Sequence, residues 1–408
     1  MSRLPFAVTV PVLFIAGLFL HLQASPLVFP NDGQFYQSWG YSISGSWAGE
    51  GPSFDRELWP GKGFWPLIIA VFHAVIGPVT ISLIAFNTLV FGAAVVAMQK
   101  SVLLLTGKNA RYTMVTVVLT STPFILFGPS LLRESLFWLG TSGGVLAISY
   151  LRRRHVGLAL VSAGWGALLM LAARPDAGAV FAYAVIGVLV VLIGFDGPRR
   201  SATTRLVAVA ILGGLAISAP QAFELIREGA GVSDIDTAAD ALSDSSVGTA
   251  FSNPPETSDR DSGTPVVEAD TRLEDFCSNT VVVRVACGAW ENLPYALLGP
   301  FYWEYGPELI WIVSGLSTLH FLVLVVLSLA YFASQGGRHW VTVGTLVVAV
   351  VTFTMFAAIL TNYGILIRFR AATEIVLIPL AIAGYFAVFT RLTAVKAGDS
   401  EPPNNKCP

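Results

Sequence analysis

Charged side chains stand at the ends of several long apolar runs, where an ionic group is costly. They are Arg133, Glu134, Arg174, Asp176, Arg368 and Arg370. Ionisable groups near lipid are usually paired or line a polar cavity. A guanidinium keeps its charge and binds phosphate oxygens through paired hydrogen bonds. If the four arginines converge at one membrane face, they would therefore form a receptor for phosphate.

A purely structural role is the alternative interpretation of the same residues. Ion pairs at helix ends, such as Arg133 with Glu134 or Arg174 with Asp176, contribute little when they are exposed. Arginines near helix ends, here Arg368, also extend their charge to lipid headgroups while the stem stays buried. The sequence leaves both interpretations open, because it does not show whether these residues meet in space.

Asp32, shortly after the first apolar run, is the candidate for acid–base chemistry. A carboxylate at the membrane surface can accept the proton of a hydroxyl that attacks an activated sugar. Nearby arginines can stabilise charge on a departing phosphate. The competing interpretation is a simple turn, because Asn31, Asp32 and Gly33 all favour turns. Asp55 and Glu57 are the rival acids of the same segment, and Arg56 between them would be their structural partner.

The composition predicts a polytopic α-helical membrane protein. Of 408 residues 54% are apolar and only 12% are charged, and the mean hydropathy is +0.68. A soluble domain carries roughly twice that charged fraction. The apolar residues come in blocks of about twenty, the length that crosses a hydrocarbon core. A water-soluble fold cannot hide so many helices that are apolar on all sides.

About ten spanning helices are expected. They lie near 5–23, 78–98, 112–128, 134–151, 156–172, 178–195, 205–221, 308–332, 340–361 and 371–391. The first run resembles a signal peptide, but an uncleaved anchor fits the charge pattern better. Residues 64–76 are also apolar, and Gly77-Pro78 separates them from the next run. They form either an eleventh span or a helix along the membrane surface.

The distribution of Lys and Arg sets the orientation, because short cytoplasmic loops carry an excess of both. Arg152-Arg153-Arg154 is the strongest such signal. All the basic loops fall on one side if 64–76 does not cross, and both termini are then cytoplasmic. The membrane domain is 1–395 and 396–408 is a cytoplasmic tail. This orientation places two large loops outside the cytoplasm, 24–63 and 222–307. Disorder is expected over 231–272, because few large apolar residues occur there.

The three cysteines and five histidines suggest no cofactor. Cys277 and Cys287 share the second external loop and could form a disulfide there. No Cys/His cluster has the spacing of metal ligands, although the need for a divalent metal is left open. His320 lies in an apolar run, where a core histidine is the simpler interpretation. No nucleotide-binding or hydrolase motif occurs in a usable context.

Several short motifs, taken in order, resemble multi-spanning glycosyltransferases of the GT-C superfamily, which includes bacterial relatives of protein mannosyltransferases. An acidic residue, Asp32, follows the first span, with Tyr36 after it. Pro129 to Ser135 reads Pro-Ser-x-x-Arg-Glu-Ser. Asn362 to Arg370 precedes the last span. Two further matches are the surface segment Gly63-Phe64-Trp65-Pro66-Leu67 and the late loop that contains Pro294-Tyr295 and Gly299-Pro300-Phe301-Tyr302-Trp303-Glu304.

The resemblance implies transfer of a sugar from a polyprenyl-phosphate-linked donor to a glycan, lipid or protein acceptor on the non-cytoplasmic face of the plasma membrane. Asp32 would be the catalytic acid or base. The implied substrate-binding set is Tyr36, Arg56, Arg133, Glu134, Arg174, Asp176, Arg368 and Arg370. Nucleic acid is not an expected partner. The chain departs from many family members in having no sizeable soluble C-terminal domain and no second acid beside Asp32.

Other functions stay open at this stage. Short chains of this kind also resemble O-antigen and exopolysaccharide polymerases of the Wzy and EpsG kind, which act on lipid-diphosphate glycans. A transporter or flippase is a third hypothesis, although such proteins often show inverted repeats and charges in mid-membrane. A non-catalytic scaffold is the fourth.

Overall fold

Ten ranges of the chain are described by the computed structural model. They are residues 4–22, 31–49, 64–77, 80–195, 209–211, 293–294, 296–298, 309–334, 339–358 and 363–398. Arg56, Cys277, Cys287, the stretch 231–272 and most of the predicted span 205–221 lie outside these ranges.

Long helices make up the described part of the chain, and it contains no strand. In chain order they are α1 (Leu4–Leu22), α2 (Asn31–Trp47), α3 (Trp65–Ile76), α4 (Thr80–Thr106), α5 (Arg111–Thr120), α6 (Thr122–Phe127), α7 (Glu134–Leu151), α8 (Val156–Ala173), α9 (Pro175–Phe195), α10 (Leu309–Ala333), α11 (Trp340–Ala358) and α12 (Tyr363–Gly398). The predicted all-α class is confirmed for these ranges.

Six stretches within the described helices are long and apolar enough to cross a membrane. They are Leu4–Leu22, Thr80–Thr106, Val156–Ala173, Ala177–Gly194, Gly315–Ala333 and Ile367–Thr390. Large apolar side chains are exposed on their outer faces, including Ile15 at 65%, Val161 at 71% and Val326 at 64%. Lipid would cover such faces, as expected of a multi-pass membrane protein. The total of ten spans and the cytoplasmic termini stay predictions.

Two helices occupy the region between the first two spans. α2 lies within 24–63, which the sequence interpretation treated as a loop. It packs against α3 so closely that a β-carbon on Gly40 would overlap the side chain of Ile69. α3 has 12 residues, a length of about 18 Å. The hydrocarbon core is about 30 Å thick, so α3 alone is too short to cross it.

The expected continuous span 112–128 is broken at Ser121. The backbone of Ser121 is extended, with φ −81° and ψ 107°, and it separates α5 from α6. Pro123 follows in the first turn of α6. Proline has no N–H to continue the helical ladder but fits a helix's first turn, so one helix ends and a second begins.

α7 is surrounded by other helices, since it packs against α4, α8, α9, α11 and α12. Glycines bring α7 and α8 together: a β-carbon on Gly140 would lie 2.7 Å from the carbonyl oxygen of Gly166. Small residues at a helix interface let two backbones approach closely in membranes. The first residue of α7 is Glu134, so this packing sets the position of one predicted site residue.

Candidate functional site

The turn between α6 and α7 is held by side chains from two other helices. Asn87 on α4 donates hydrogen bonds from Nδ2 to the carbonyl oxygens of Ser130 and, at 3.1 Å, of Leu132. Trp65 on α3 donates from Nε1 to the carbonyl oxygen of Leu131 at 2.9 Å. Three consecutive buried carbonyls are thus satisfied, as buried backbone groups must be. The two residues that follow, at the start of α7, are fixed by these bonds.

Arg174 occupies the sharp connection between α8 and α9. Its backbone is extended, with φ −141° and ψ 93°, because proline disfavours helical geometry in the residue before it and Pro175 follows. The N–H of Gly178 donates to the carbonyl oxygen of Arg174 at 2.7 Å. The Arg-Pro pair therefore ends α8 and fixes the point from which the Arg174 side chain extends.

Glu134 accepts contacts from two arginines that are far apart in sequence. Arg174 Nη2 donates to Glu134 Oε1 at 2.6 Å. Arg368 Nη1, from the first turns of α12, lies 3.7 Å from the same oxygen. All three are buried: Glu134 is 1% exposed, Arg174 7% and Arg368 9%. The other carboxylate oxygen, Oε2, has no hydrogen-bond partner among the described residues.

Arg133 joins this group from the preceding position. It acts electrostatically on Glu134 and donates from Nη1 to the carbonyl oxygen of Ala173 at 3.2 Å. Its guanidinium carbon also lies 5.7 Å from the centre of the Tyr36 ring, which is buried. Arg133 thereby connects helix α2 to the ionic group.

Aromatic rings lie against the other two guanidinium groups. Arg174 lies over the ring of Phe369, and Arg368 over the ring of Phe127, each at 5.3 Å. A ring face attracts a cation, and more so where water is excluded. These contacts favour fixed guanidinium orientations, which binding of an anion in a defined pose requires. The "arginine cluster" denotes Arg133, Arg174, Arg368 and Glu134 hereafter.

Arg370, two residues further along α12, contacts residues outside the arginine cluster. It donates from Nη1 to Thr318 Oγ1 at 2.8 Å and from Nη2 to the carbonyl oxygen of Ala296 at 2.7 Å. It also lies over the ring of Phe321. Since α10 supplies two of these partners, Arg370 links α12 to α10 and to the short described segment around Ala296.

A second ionic group lies deeper on α12, around Glu374. Ser121 donates from Oγ to Glu374 Oε2 at 2.8 Å. His320 Nδ1 lies 3.3 Å from the same oxygen. Glu374 and Ser121 have no exposed surface. His320, which was expected to be a core histidine rather than a ligand, lies beside this carboxylate with its side chain only 11% exposed.

For the remaining predicted residues, the structure describes the backbone position only or nothing. Asp32 is the second residue of α2, and Asp176 the second residue of α9; their side chains are outside the description. Asp32 precedes Tyr36 by four positions, so the two residues lie one turn apart on the same side of α2. Arg56 and the two cysteines fall outside the described ranges, and the disulfide stays a prediction.

Sequence reasoning missed the residues that hold the turn and those of the second ionic group. A signal existed for two of them. Glu374 is a carboxylate inside the predicted span 371–391, and an intramembrane carboxylate is a candidate functional residue by default. Asn87 is an amide inside another span. Trp65 belongs to the motif from Gly63 to Leu67, but nothing in the sequence connects that motif with the turn before α7.

The chemistry that this arrangement favours is recognition of an anion. Among the described side chains, three guanidinium groups meet one carboxylate in a buried place. Within the described ranges, no group of three or more His, Cys, Asp or Glu side chains could hold a metal ion. Comparisons with protein-family models, with curated proteins and with solved structures find no match to this chain.

Proposed function

We propose that this chain is a membrane glycosyltransferase. It moves a sugar from a polyprenyl-phosphate-linked donor to a glycan, lipid or protein acceptor. The observation that carries the proposal is the meeting of Arg133, Arg174 and Arg368 around Glu134. Buried guanidinium groups brought together in this way suit a phosphate, whose oxygens they bind in forked pairs. The low exposure of these arginines disfavours the alternative that they reach out to lipid headgroups.

The reaction needs a base beside the phosphate receptor, and Asp32 is the residue proposed for it. Tyr36 contacts Arg133, and Asp32 lies one turn earlier on α2, a rise of about 6 Å. Asp32 takes the proton of the acceptor hydroxyl as its oxygen bonds to the sugar's anomeric carbon. The bond from that carbon to the phosphate oxygen breaks, and the arginine cluster stabilises the departing phosphate.

The proposed reaction takes place on the non-cytoplasmic side of the plasma membrane, in a chain with ten spans and cytoplasmic termini. α7 supports this orientation. It begins at Glu134 and ends at Leu151, directly before Arg152-Arg153-Arg154. A basic run of this kind is typical of a cytoplasmic loop, and the arginine cluster lies at the opposite end of the helix.

A polymerase acting on lipid-diphosphate glycans is the second candidate. The arginine cluster favours it, because guanidinium groups bind several phosphate oxygens at once and a diphosphate offers more of these oxygens than a single phosphate. Competition between polyprenyl phosphate and polyprenyl diphosphate for the purified chain distinguishes the two candidates. Tighter binding of the diphosphate would favour the polymerase.

The deciding experiment is sugar transfer by the full chain in proteoliposomes that contain radiolabelled polyprenyl-phosphate sugars. Asp32→Asn is expected to lower transfer by at least about 100-fold, the contribution of a general base, while polyprenyl phosphate still binds. Asp55→Asn is the matched control in the same segment and is expected to retain transfer. Full activity of Asp32→Asn would remove Asp32 from the mechanism, and a selective loss in Asp55→Asn would move the role there.

A further inference from the structure

The second ionic group joins three helical elements at one carboxylate. Glu374 on α12 receives a hydrogen bond from Ser121, at the break between α5 and α6, and faces His320 on α10 at 3.3 Å. Broken helices inside a membrane protein are a common setting for ion and proton sites. This group lies outside the arginine cluster, and sugar transfer as proposed above does not use it.

Both ionisable members lie well inside stretches that can cross a membrane. Glu374 lies within Ile367–Thr390 of α12, and His320 lies within Gly315–Ala333 of α10. Inside such a stretch an ionic side chain is costly and marks a functional site by default.

Few charged groups face Glu374. Arg370, one turn earlier on α12, interacts with it electrostatically. The other ionisable side chains described on the helices packed against α12 are Lys100, Arg111, Tyr112, Glu134, Tyr150 and Tyr331. Of these, Glu134 pairs with Arg174, and Tyr331 donates to the carbonyl oxygen of Leu105. Among the described residues, His320 and the Ser121 hydroxyl contact the carboxylate, and Arg370 acts on it electrostatically.

Three atoms of the pair are buried without a hydrogen-bond partner among the described residues. They are Glu374 Oε1 and both ring nitrogens of His320, although Nδ1 lies 3.3 Å from Glu374 Oε2. When the N–H of neutral His320 is on Nδ1, toward Glu374, Nε2 keeps a lone pair that can accept a proton, and so does Glu374 Oε1. Buried polar atoms left unsatisfied in this way call for an explanation, and a site that takes up and releases a proton is one.

We propose that Glu374 and His320 form a proton-binding site inside the helix bundle. Uptake of one proton from water forms one new N–H bond at His320 Nε2 or one new O–H bond at Glu374 Oε1. The net charge of Arg370, Glu374 and His320 together then rises by one, and release to water reverses the step. Arg368 lies six residues before Glu374, so the proton-binding site and the arginine cluster share helix α12.

Infrared difference spectra of the full chain in lipid nanodiscs test the proposal. Spectra recorded between about pH 2.5 and pH 9, a range that brackets the ordinary titration of carboxyl groups and imidazoles, report their protonation. We expect one protonation change of the wild-type chain to be absent from both Glu374→Gln and His320→Gln. Tyr331→Phe, which alters another buried polar side chain of α10, is the matched control and is expected to keep that change.

Superimposable difference spectra for the wild-type chain and both variants would overturn the proposal, because no proton would then be exchanged by the pair. If either variant does not fold, the wild-type chain with ¹⁵N-labelled histidine rings gives the answer. The His320 ring resonances, identified in the folded variant with His320→Asn or by through-space contacts to Glu374, must change over the same pH range. Resonances that stay constant would equally overturn it.

Discussion

Arg174 and Glu134 are forty positions apart in the sequence, yet their side chains form a buried ion pair at 2.6 Å. The pair joins the connection between α8 and α9 to the first residue of α7. Arg368 approaches the same oxygen from α12 at 3.7 Å. One carboxylate thus ties together three helices, so the arginine cluster stabilises the bundle whatever it binds.

Replacing Arg174 by Met should destabilise the folded chain. Removing one partner of a buried ion pair costs roughly 3–5 kcal/mol, and we expect a loss near the lower end because Arg368 still faces Glu134. The double variant Arg174→Met/Glu134→Met should lose less than the sum of the two single losses, by about 0.5–3 kcal/mol. Equilibrium unfolding in mixed micelles measures all three. Strictly additive losses would contradict a direct interaction.

Arg153→Met is the matched control for that comparison. Arg153 is exposed in the turn after α7, and surface substitutions of this kind change stability by no more than about 0.5 kcal/mol. A loss as large as that of Arg174→Met would show that removing any arginine destabilises the chain, whether or not it is paired.

Trp65→Phe should loosen the turn that carries Arg133. The ring can remain in place, but the carbonyl oxygen of Leu131 loses its buried donor at 2.9 Å. Leaving such a group unsatisfied costs about 1–3 kcal/mol. Trp138→Phe is the control, because Trp138 is equally buried and its Nε1 has no hydrogen-bond partner among the described residues. Equal losses in the two variants would mean that only ring packing matters.

The sequence predicts the positions of most described helices because long apolar runs have few other uses. It also singled out Arg133, Glu134, Arg174 and Arg368, since charges at the ends of such runs are exceptional. The structure brings those four together, and their use as a phosphate receptor stays a prediction. The hydrogen bond from Trp65 to Leu131 could not be predicted from the sequence, because it depends on how α3 packs against a turn far along the chain.

Helix α2 shows why local pattern failed in one place. Its residues include three glycines and many polar side chains, so Asn31 to Trp47 resembles a loop. The helix forms where Gly40 lets its backbone approach Ile69 on α3. A contact between two segments thus overrides weak local propensity. The break at Ser121, by contrast, could have been predicted, because Pro123 two residues later has no N–H to continue a helix that begins before it.

Arg368→Lys tests whether the arginine cluster recognises phosphate. Lysine keeps the positive charge but loses the fork that binds two oxygens at once. We expect the affinity of the nanodisc-embedded chain for polyprenyl phosphate to fall by about tenfold, which corresponds to about 1.4 kcal/mol. Isothermal titration measures it. Arg153→Lys, outside the cluster, should bind as the wild-type chain does. An unchanged affinity in Arg368→Lys would return Arg368 to the role of a structural or lipid-facing residue.

Gly166→Ala should disturb the contact between α7 and α8 that positions Glu134. A β-carbon at Gly166 would lie 2.7 Å from the carbonyl oxygen of Gly140 and 3.0 Å from the amide nitrogen of Gly144. Backbone atoms cannot rotate away, so the helices must separate, and overpacking of this kind costs about 1–3 kcal/mol.

Gly164→Ala on the same helix is the control, because nothing lies within 4 Å of its β-carbon. Alanine also favours the helix over glycine by roughly 1 kcal/mol, so this variant should unfold at the wild-type temperature or slightly above it. Thermal unfolding of both variants in the same detergent gives the comparison. The close approach of α7 and α8 therefore predicts that the same substitution lowers the unfolding temperature at Gly166 and does not lower it at Gly164. If both variants changed the unfolding temperature in the same direction, the two helices would not meet at Gly140 and Gly166. The position of Glu134 at the start of α7 would then depend on other contacts.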